Sequence, residues 1–338
     1  MSSSQSHVHV DLSHEQSASV LSRARPDPRA WIADEVEPRE CIVHLDDASR
    51  GELARMAEIV EHAPLPIVLR TPAQFETPAL GAIMARAKTL LDSRPGVAVV
   101  DRLPLDELDV ETAKALFWIL GHLLARPVAQ RWDGTMLYDV RDTGKTYGYG
   151  VRGSYTNVEL VFHNDNAFAI APPHYVGLLC LHPAMEGGVS RFCSVHALHD
   201  TMQRRYPREL ERLYRCMIWD RQAEHAPGEP KTLLAPMFSH RDGELWARVN
   251  VSLVRKGYEV AGVEPDAELE TALAALEEVA ADRTLWFELP IERGQLQYLN
   301  NRQIVHYRSR FTDYPDPARK RHLVRTWHRD EGLPTYDG

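Results

Sequence analysis

The chain has 338 residues, 44% of them hydrophobic and 26% charged, with a formal net charge of -9. These proportions suit a folded chain with a sizeable core, and the length allows two average domains or one large one. The acidic balance argues against a nucleic-acid partner, and no apolar run approaches the roughly 18 residues needed to span a bilayer.

The N-terminus, MSSSQSHVHVDLSHEQSAS, is polar and lacks the apolar stretch of a secretory signal. The four cysteines (Cys41, Cys180, Cys193, Cys216) show no CxxC spacing and lie in apolar contexts. They read as buried free thiols of a reducing compartment, so a cytoplasmic location is expected. Residues 1–27 are Ser- and His-rich and are expected to form a flexible arm. The remainder, 28–338, reads as one domain with a helical part over 28–130 and a β core over 131–329.

In the helical part, DDASRGELARMAEIVEHAP carries an N-cap signal and apolar residues at helical spacing, and ends at proline. TPALGAIMARAKTLLDSRPG repeats that plan, with Thr77 as cap and Pro78 in the first turn. VAVVDRLPL is a short strand, and DVETAKALFWILGHLLAR is a third helix. Beyond residue 130 the runs shorten to TMLYDV, YTNVELVFH, YVGLLCL, GVSRFCSV, ELWARVNVSLV, LWFELP and GQLQYLN, separated by turn residues. Helical inserts are expected near 196–216 and 265–282; the second opens at Pro265 with early acids. Many short strands after a helical opening imply an α+β, mainly β architecture. Its core is a jelly-roll (a double-stranded β-helix, cupin-like) with helices packed outside.

Two imidazoles and one carboxylate on one face of an octahedron suit a non-haem Fe(II), with three positions left open. A His-x-Asp pair at a strand end supplies two of them, because alternate residues point the same way. That pattern occurs five times here: His9/Asp11, His44/Asp46, His163/Asp165, His240/Asp242 and His328/Asp330. The first lies in the arm and the last has no histidine after it. His240/Asp242 sits in SHRDGEL, where Asp-Gly reads as a hairpin turn, and His44/Asp46 reads as a helix start. His163/Asp165 follows the strand-like VELVF and precedes the small-residue run NAFAIAPP. Downstream lie a Gly-Gly-Val-Ser turn ending at Ser190, His306 in NNRQIVHYRSRF, and Arg321 and Arg325 in RHLVRTW. If RHLVRTW is a strand, Arg321, Leu323, Arg325 and Trp327 share one face. An inward pair of arginines there would need an anion to compensate its charge.

ELVFHNDNAF, GGVS, NNRQIVHYR and RHLVRTW, in that order, resemble the TauD/TfdA superfamily of Fe(II)/2-oxoglutarate oxygenases, in its clavaminate-synthase-like wing. The likeness spans about 150–329. It implies His163, Asp165 and His306 as iron ligands, and Arg321 with Ser190 on the distal carboxylate of 2-oxoglutarate. It also implies Arg325 on the cosubstrate or on an acidic group of the substrate. The implied cofactors are Fe(II), 2-oxoglutarate and O2. The implied reaction oxidises an unactivated C–H bond of a small polar molecule, by default hydroxylating it, with release of succinate and CO2. Desaturation and oxidative cyclisation need only a different substrate pose. Halogenation is disfavoured, since related halogenases have glycine where Asp165 stands. Many close relatives carry glutamate there, which leaves the substrate open beyond an amino acid or derivative.

Candidate substrate residues lie in YGYGVRGSYTN, a Gly- and Tyr-rich stretch suited to a lid: Tyr147, Tyr149, Arg152, Ser154 and Asn157. Asn300 and Asn301, just ahead of His306, are candidates to orient it or touch substrate. Oligomeric state is open. Two other readings use the same residues: a zinc hydrolase with two histidines, an acid and an activated water, and a jelly-roll binding module without catalysis.

Overall fold

The computed structural model describes residues 8–23, 27–146, 148 and 150–337. Three helices, α1 (Asp47–His62), α2 (Pro78–Asp92) and α3 (Val110–Leu124), alternate with strands of the barrel itself, so the expected β core over 131–329 also draws in Ile42–His44, Val97–Asp101 and Arg126–Val128 from the helical part. Asp46 and Asp109 cap α1 and α3, each accepting a hydrogen bond from a backbone N–H three residues on, which satisfies a donor the helix cannot. Thr77 makes no such bond, and α2 starts on Pro78.

The barrel consists of two facing sheets. The larger runs in the order Ile42–His44, Val97–Asp101, Leu296–Asn300, Tyr175–His182, His322–Arg329, Arg126–Val128, with Tyr138–Val140 also pairing the last long strand. The smaller runs Trp286–Glu288, Ser190–Ser194, Ile304–Arg308, Leu160–His163. Alternation along the strands divides the apolar residues between two cores. Ala98, Val100, Tyr298 and Val324 pack outward against α1–α3, while Val97, Val99, Val176 and Trp327 face Phe192, Phe287 and Ile304 between the sheets. The fold is therefore a jelly-roll with flanking helices, as expected.

A second helical layer covers the smaller sheet: α4 (Val195–Arg205), α5 (Pro207–Leu213), α6 (Val251–Ala261) and α7 (Ala267–Ala281). Val305 and Cys193 turn toward this layer, so Ile304, His306 and Arg308 point into the barrel. α6 departs from the expectation that ELWARVNVSLV is one strand. Glu244–Ala247 is extended, but the Asn250 side chain accepts from the Leu253 N–H and starts a helix. Val251, Val254 and Gly257 then bury one face, so the valines serve helical packing despite their strand propensity. The neighbouring Asp-Gly turn is as expected: Phe238–Arg241 pairs Glu244–Ala247 antiparallel, with Asp242 and Gly243 both at positive φ.

The expected flexible arm does not describe residues 8–23. His9–Asp11 pairs in parallel with Thr232–Ala235, Leu12 and Leu21 are buried, and Glu15 forms an ion pair with Arg248. Polar composition concealed two apolar anchors and one half-buried counter-charge. The four cysteines are free thiols, three of them buried. No helix among the described residues is long and apolar enough to cross a membrane.

Candidate metal centre

His163 ends its strand and lies opposite His306 in antiparallel register, which brings two residues 143 positions apart side by side. Asp165 follows in a turn that Asn166 closes at φ +56°, swinging the carboxylate back toward both rings. Asp165 Oδ1 lies 3.6 Å from His163 Nε2 and 3.7 Å from His306 Nε2, and the ring centroids are 4.2 Å apart. One ligand atom from each residue falls within 4.8 Å of the others, the one such cluster of three among the described residues. The donor set fits Fe(II): two imidazole nitrogens and a carboxylate oxygen converge on one point. His163 Nδ1 donates to the Val161 carbonyl at 2.7 Å, which turns the Nε2 lone pair toward that point.

The electrostatics keep His306 and Asp165 in ligand form. Burial pushes His306 down to about 3, with His163 and Arg325 adding to the shift and Asp165 opposing it. Its ring is therefore neutral at physiological pH. Burial alone would raise the Asp165 carboxyl, but Arg325 and the two histidines hold it well below the usual carboxylate range.

A satisfied buried network holds the turn. Asn301 Oδ1 accepts from the Asp165 N–H and Asn301 Nδ2 donates to the Asp165 carbonyl, at 2.8 and 2.9 Å. Asn164 donates to the carbonyls of Asn301 and Ile304, and its Oδ1 accepts from the Val249 N–H. Asn301 thus supports the carboxylate from behind. Asn300 is no part of this centre: it is buried and bonds the Leu91 carbonyl.

A cleft of about 280 Å³ opens beside the carboxylate. Arg152, Ser154 and Arg325 line it, together with Gln222, Ser252 and Arg310, which carried no readable signal. Arg152 is already neutralised, with Nη2 2.9 Å from Glu224 Oε1, and Ser154 bonds the Tyr138 hydroxyl. Asn157 does not line the cleft; its carbonyl accepts from the Phe311 N–H. Tyr147 and Tyr149 lie outside the described residues.

Arg325 faces inward with Leu323 and Trp327, as the alternation of RHLVRTW implied. Its Nη1 donates to Asp165 Oδ2 at 2.9 Å and its Nε to Gln130 Oε1 at 2.8 Å. Its guanidinium sits between the rings of Tyr138 and Trp327, 4.8 and 4.7 Å from their centroids.

Arg321 and Ser190 lie outside the cleft, in a separate buried cluster. Arg321 runs past Gly188, where a Cβ would lie 3.0 Å from its Nε; glycine also permits the φ of +67° there. Arg321 Nη1 is buried with no hydrogen-bond partner among the described residues. Ser190 bonds Gln297 and sits opposite Arg308 in register. Arg308, unremarked in the sequence reading, is a second buried guanidinium whose Nε and Nη1 lack partners. Burial lowers both arginines, and the charge of Arg321 lowers Arg308 further. Unpaired cationic N–H groups of this kind call for an anion.

The sequence profile of the family described as "Taurine catabolism dioxygenase TauD, TfdA family" matches residues 62–327. The chain belongs to the TauD/TfdA family. As a member it is a 2-oxoglutarate-dependent dioxygenase with iron, and neither the hydrolase nor the non-catalytic reading stands. Among curated relatives in sequence, FR-33289 synthase of Streptomyces rubellomurinus is 26% identical over 288 residues, covering 84% of this chain and 83% of that protein. The taurine hydroxylase-like protein SAT17 of Stachybotrys chartarum is 26% identical over 324 residues, covering 91% and 80%. The same fold occurs in an asparagine oxygenase solved with Fe(II), 2S,3S-3-hydroxyasparagine and succinate. The TM-score is 0.63 and identity 18%, over 86% of this chain and 94% of that one. It also occurs in the non-haem iron oxygenase OrfP, solved with Fe, succinate and (3S)-hydroxy-L-Arg, at TM-score 0.62, 15% identity and the same coverage.

Proposed function

We propose that His163, Asp165 and His306 hold the Fe(II), and that this TauD/TfdA member hydroxylates a small polar, carboxylate-bearing molecule, an amino acid or a derivative of one. The observation that carries the reading is the convergence of the three ligand atoms beside a cleft. Bound there with 2-oxoglutarate and O2, the iron supplies the oxidising chemistry, and succinate and CO2 leave.

The chain's own residues bind, orient and shield. Arg321, buried with an unpartnered Nη1, receives the distal carboxylate of 2-oxoglutarate; a guanidinium keeps its charge when buried and grips a carboxylate through two N–H groups. Ser190, opposite Arg308 in the adjacent strand, supplies a hydroxyl to the same end. Arg325 has its Nε and Nη1 committed, and Nη2 bonds nothing among the described residues while the side chain lines the cleft. It therefore meets the carboxylate of the substrate rather than that of the cosubstrate. Arg152, already paired with Glu224, shapes the wall instead of binding charge. The substrate class takes support from the asparagine oxygenase and OrfP, whose bound products are hydroxylated asparagine and arginine.

The deciding experiment is succinate release screened over a library of amino acids and their derivatives, with Fe(II), 2-oxoglutarate and O2. Substrate-dependent succinate with a hydroxylated product supports the reading; release that no carboxylate-bearing compound stimulates overturns it. Anaerobic addition of Fe(II) and 2-oxoglutarate should give a weak visible charge-transfer band in the wild type and none in His163→Ala.

A further inference from the structure

Asp165 Oδ2 receives two hydrogen bonds, one from Arg325 Nη1 at 2.9 Å and one from Trp327 Nε1 at 2.8 Å. Both donors come from one strand, two residues apart, and so reach the same side of the carboxylate. Trp327 is 2% exposed and packed between the sheets among Val176, Phe192 and Leu299, so its indole has little room to rotate. Oδ1 carries neither bond and faces both histidine Nε2 atoms. Indole N–H is a donor only and cannot bind a metal itself.

We propose that Trp327 is a positioning residue for the metal centre. It fixes the rotation of the Asp165 carboxylate so that Oδ1 alone is presented with the two imidazoles, and Oδ2 is held away. This rests on the assignment of His163, Asp165 and His306 as iron ligands. Arg325 shares the task but is itself held by Gln130 and the Tyr138 ring and also lines the cleft. Trp327 also borders the cleft, but its bond to Oδ2 is the neutral one of the pair, so its replacement reports on orientation without altering charge. An outer hydrogen bond to a ligand is typically worth 10- to 100-fold in metal affinity.

The test is calorimetric titration of the apoprotein with Co(II), a redox-stable stand-in for Fe(II), for wild type, Trp327→Phe and His163→Ala. A second Trp327 variant carries benzothienylalanine, which keeps the ring shape and removes only the N–H, so it remains informative where phenylalanine perturbs packing. The expected result is Co(II) binding about 10-fold weaker or more in both Trp327 variants. The benzothienylalanine apoprotein should meanwhile melt within a few degrees of wild type. Wild-type affinity in that variant, with binding lost in His163→Ala, overturns the positioning role and leaves the ligand assignment standing. Wild-type affinity in His163→Ala overturns the ligand assignment itself.

Discussion

The two arginines of RHLVRTW lie four residues apart and have opposite surroundings. Among the described residues Arg321 is buried with a free N–H and no acid in salt-bridge range, whereas Arg325 is tied to Asp165 and Gln130. Their replacements should therefore separate kinetically. Arg321→Gln removes a charge-assisted pair worth about 1.5–3 kcal/mol, so the 2-oxoglutarate KM should rise about 10- to 100-fold with the substrate KM nearly unchanged. Arg325→Gln should raise the substrate KM far more than the 2-oxoglutarate KM. Steady-state kinetics with each ligand varied at saturation of the other checks both, and equal effects on the two constants would refute the division. His163, Asp165 and His306 were legible because the ligand residue types are few and the downstream motif order is distinctive. Asn301 was legible only as a neighbour of His306; its bonds to Asp165 come from a turn that brings together positions 136 apart. Trp327 was read only as a member of the Arg325 face, since nothing local distinguishes a core tryptophan from one whose N–H meets a ligand.

Among the elements, the N-terminal strand illustrates a contribution that composition hides. Its extension carries Glu15, which makes three hydrogen-bond contacts to the Arg248 guanidinium, and that guanidinium also bonds the carbonyls of Ala167 and Ala169 just beyond Asp165. Burial lowers the Arg248 pKa and Glu15 opposes that shift. Removing the partner leaves an uncompensated buried cation, a loss of about 3–5 kcal/mol for a fully enclosed pair. Glu15 is partly exposed, so about 2–3 kcal/mol is expected for Glu15→Ala, read as a lowered urea midpoint at unchanged slope. An unchanged midpoint would show that the segment is dispensable for stability. The three early helices were legible because their apolar spacing and caps are local signals. α6 was not, because β-branched residues satisfy strand and helix patterns alike until burial chooses between them.

For the molecule as a whole, pH should matter through buried histidines outside the candidate metal centre. His174, His196 and His328 are buried, and burial pushes each down to about 4, with nearby arginines adding to the shift at His174 and His196. The ordinary value in the unfolded chain is about 6.5. Between those values the unfolded state binds more protons, so stability is full above about pH 6.5 and falls as pH drops toward 4. The slope is about 1.4 kcal/mol per pH unit for each histidine, and the three together approach about 4 kcal/mol per unit near pH 5. Chemical denaturation of the apoprotein between pH 7 and 5 measures this directly. A flat profile, or no flattening in a His328→Asn variant that folds, would contradict it.

The sequence by itself determined the family, the jelly-roll class, the three early helices and the candidate metal ligands. These depend on residue types, local periodicity and motif order, all of which are written along the chain. Tertiary structure alone decided how the polar groups pair. It placed Arg325 on Asp165 and Arg152 on Glu224, set Arg321 beside Gly188, and brought Glu15 against Arg248 as its counter-charge. The physical reason is that a buried charge takes whichever partner the sheets bring within reach, and strand order and register, not sequence distance, set that reach.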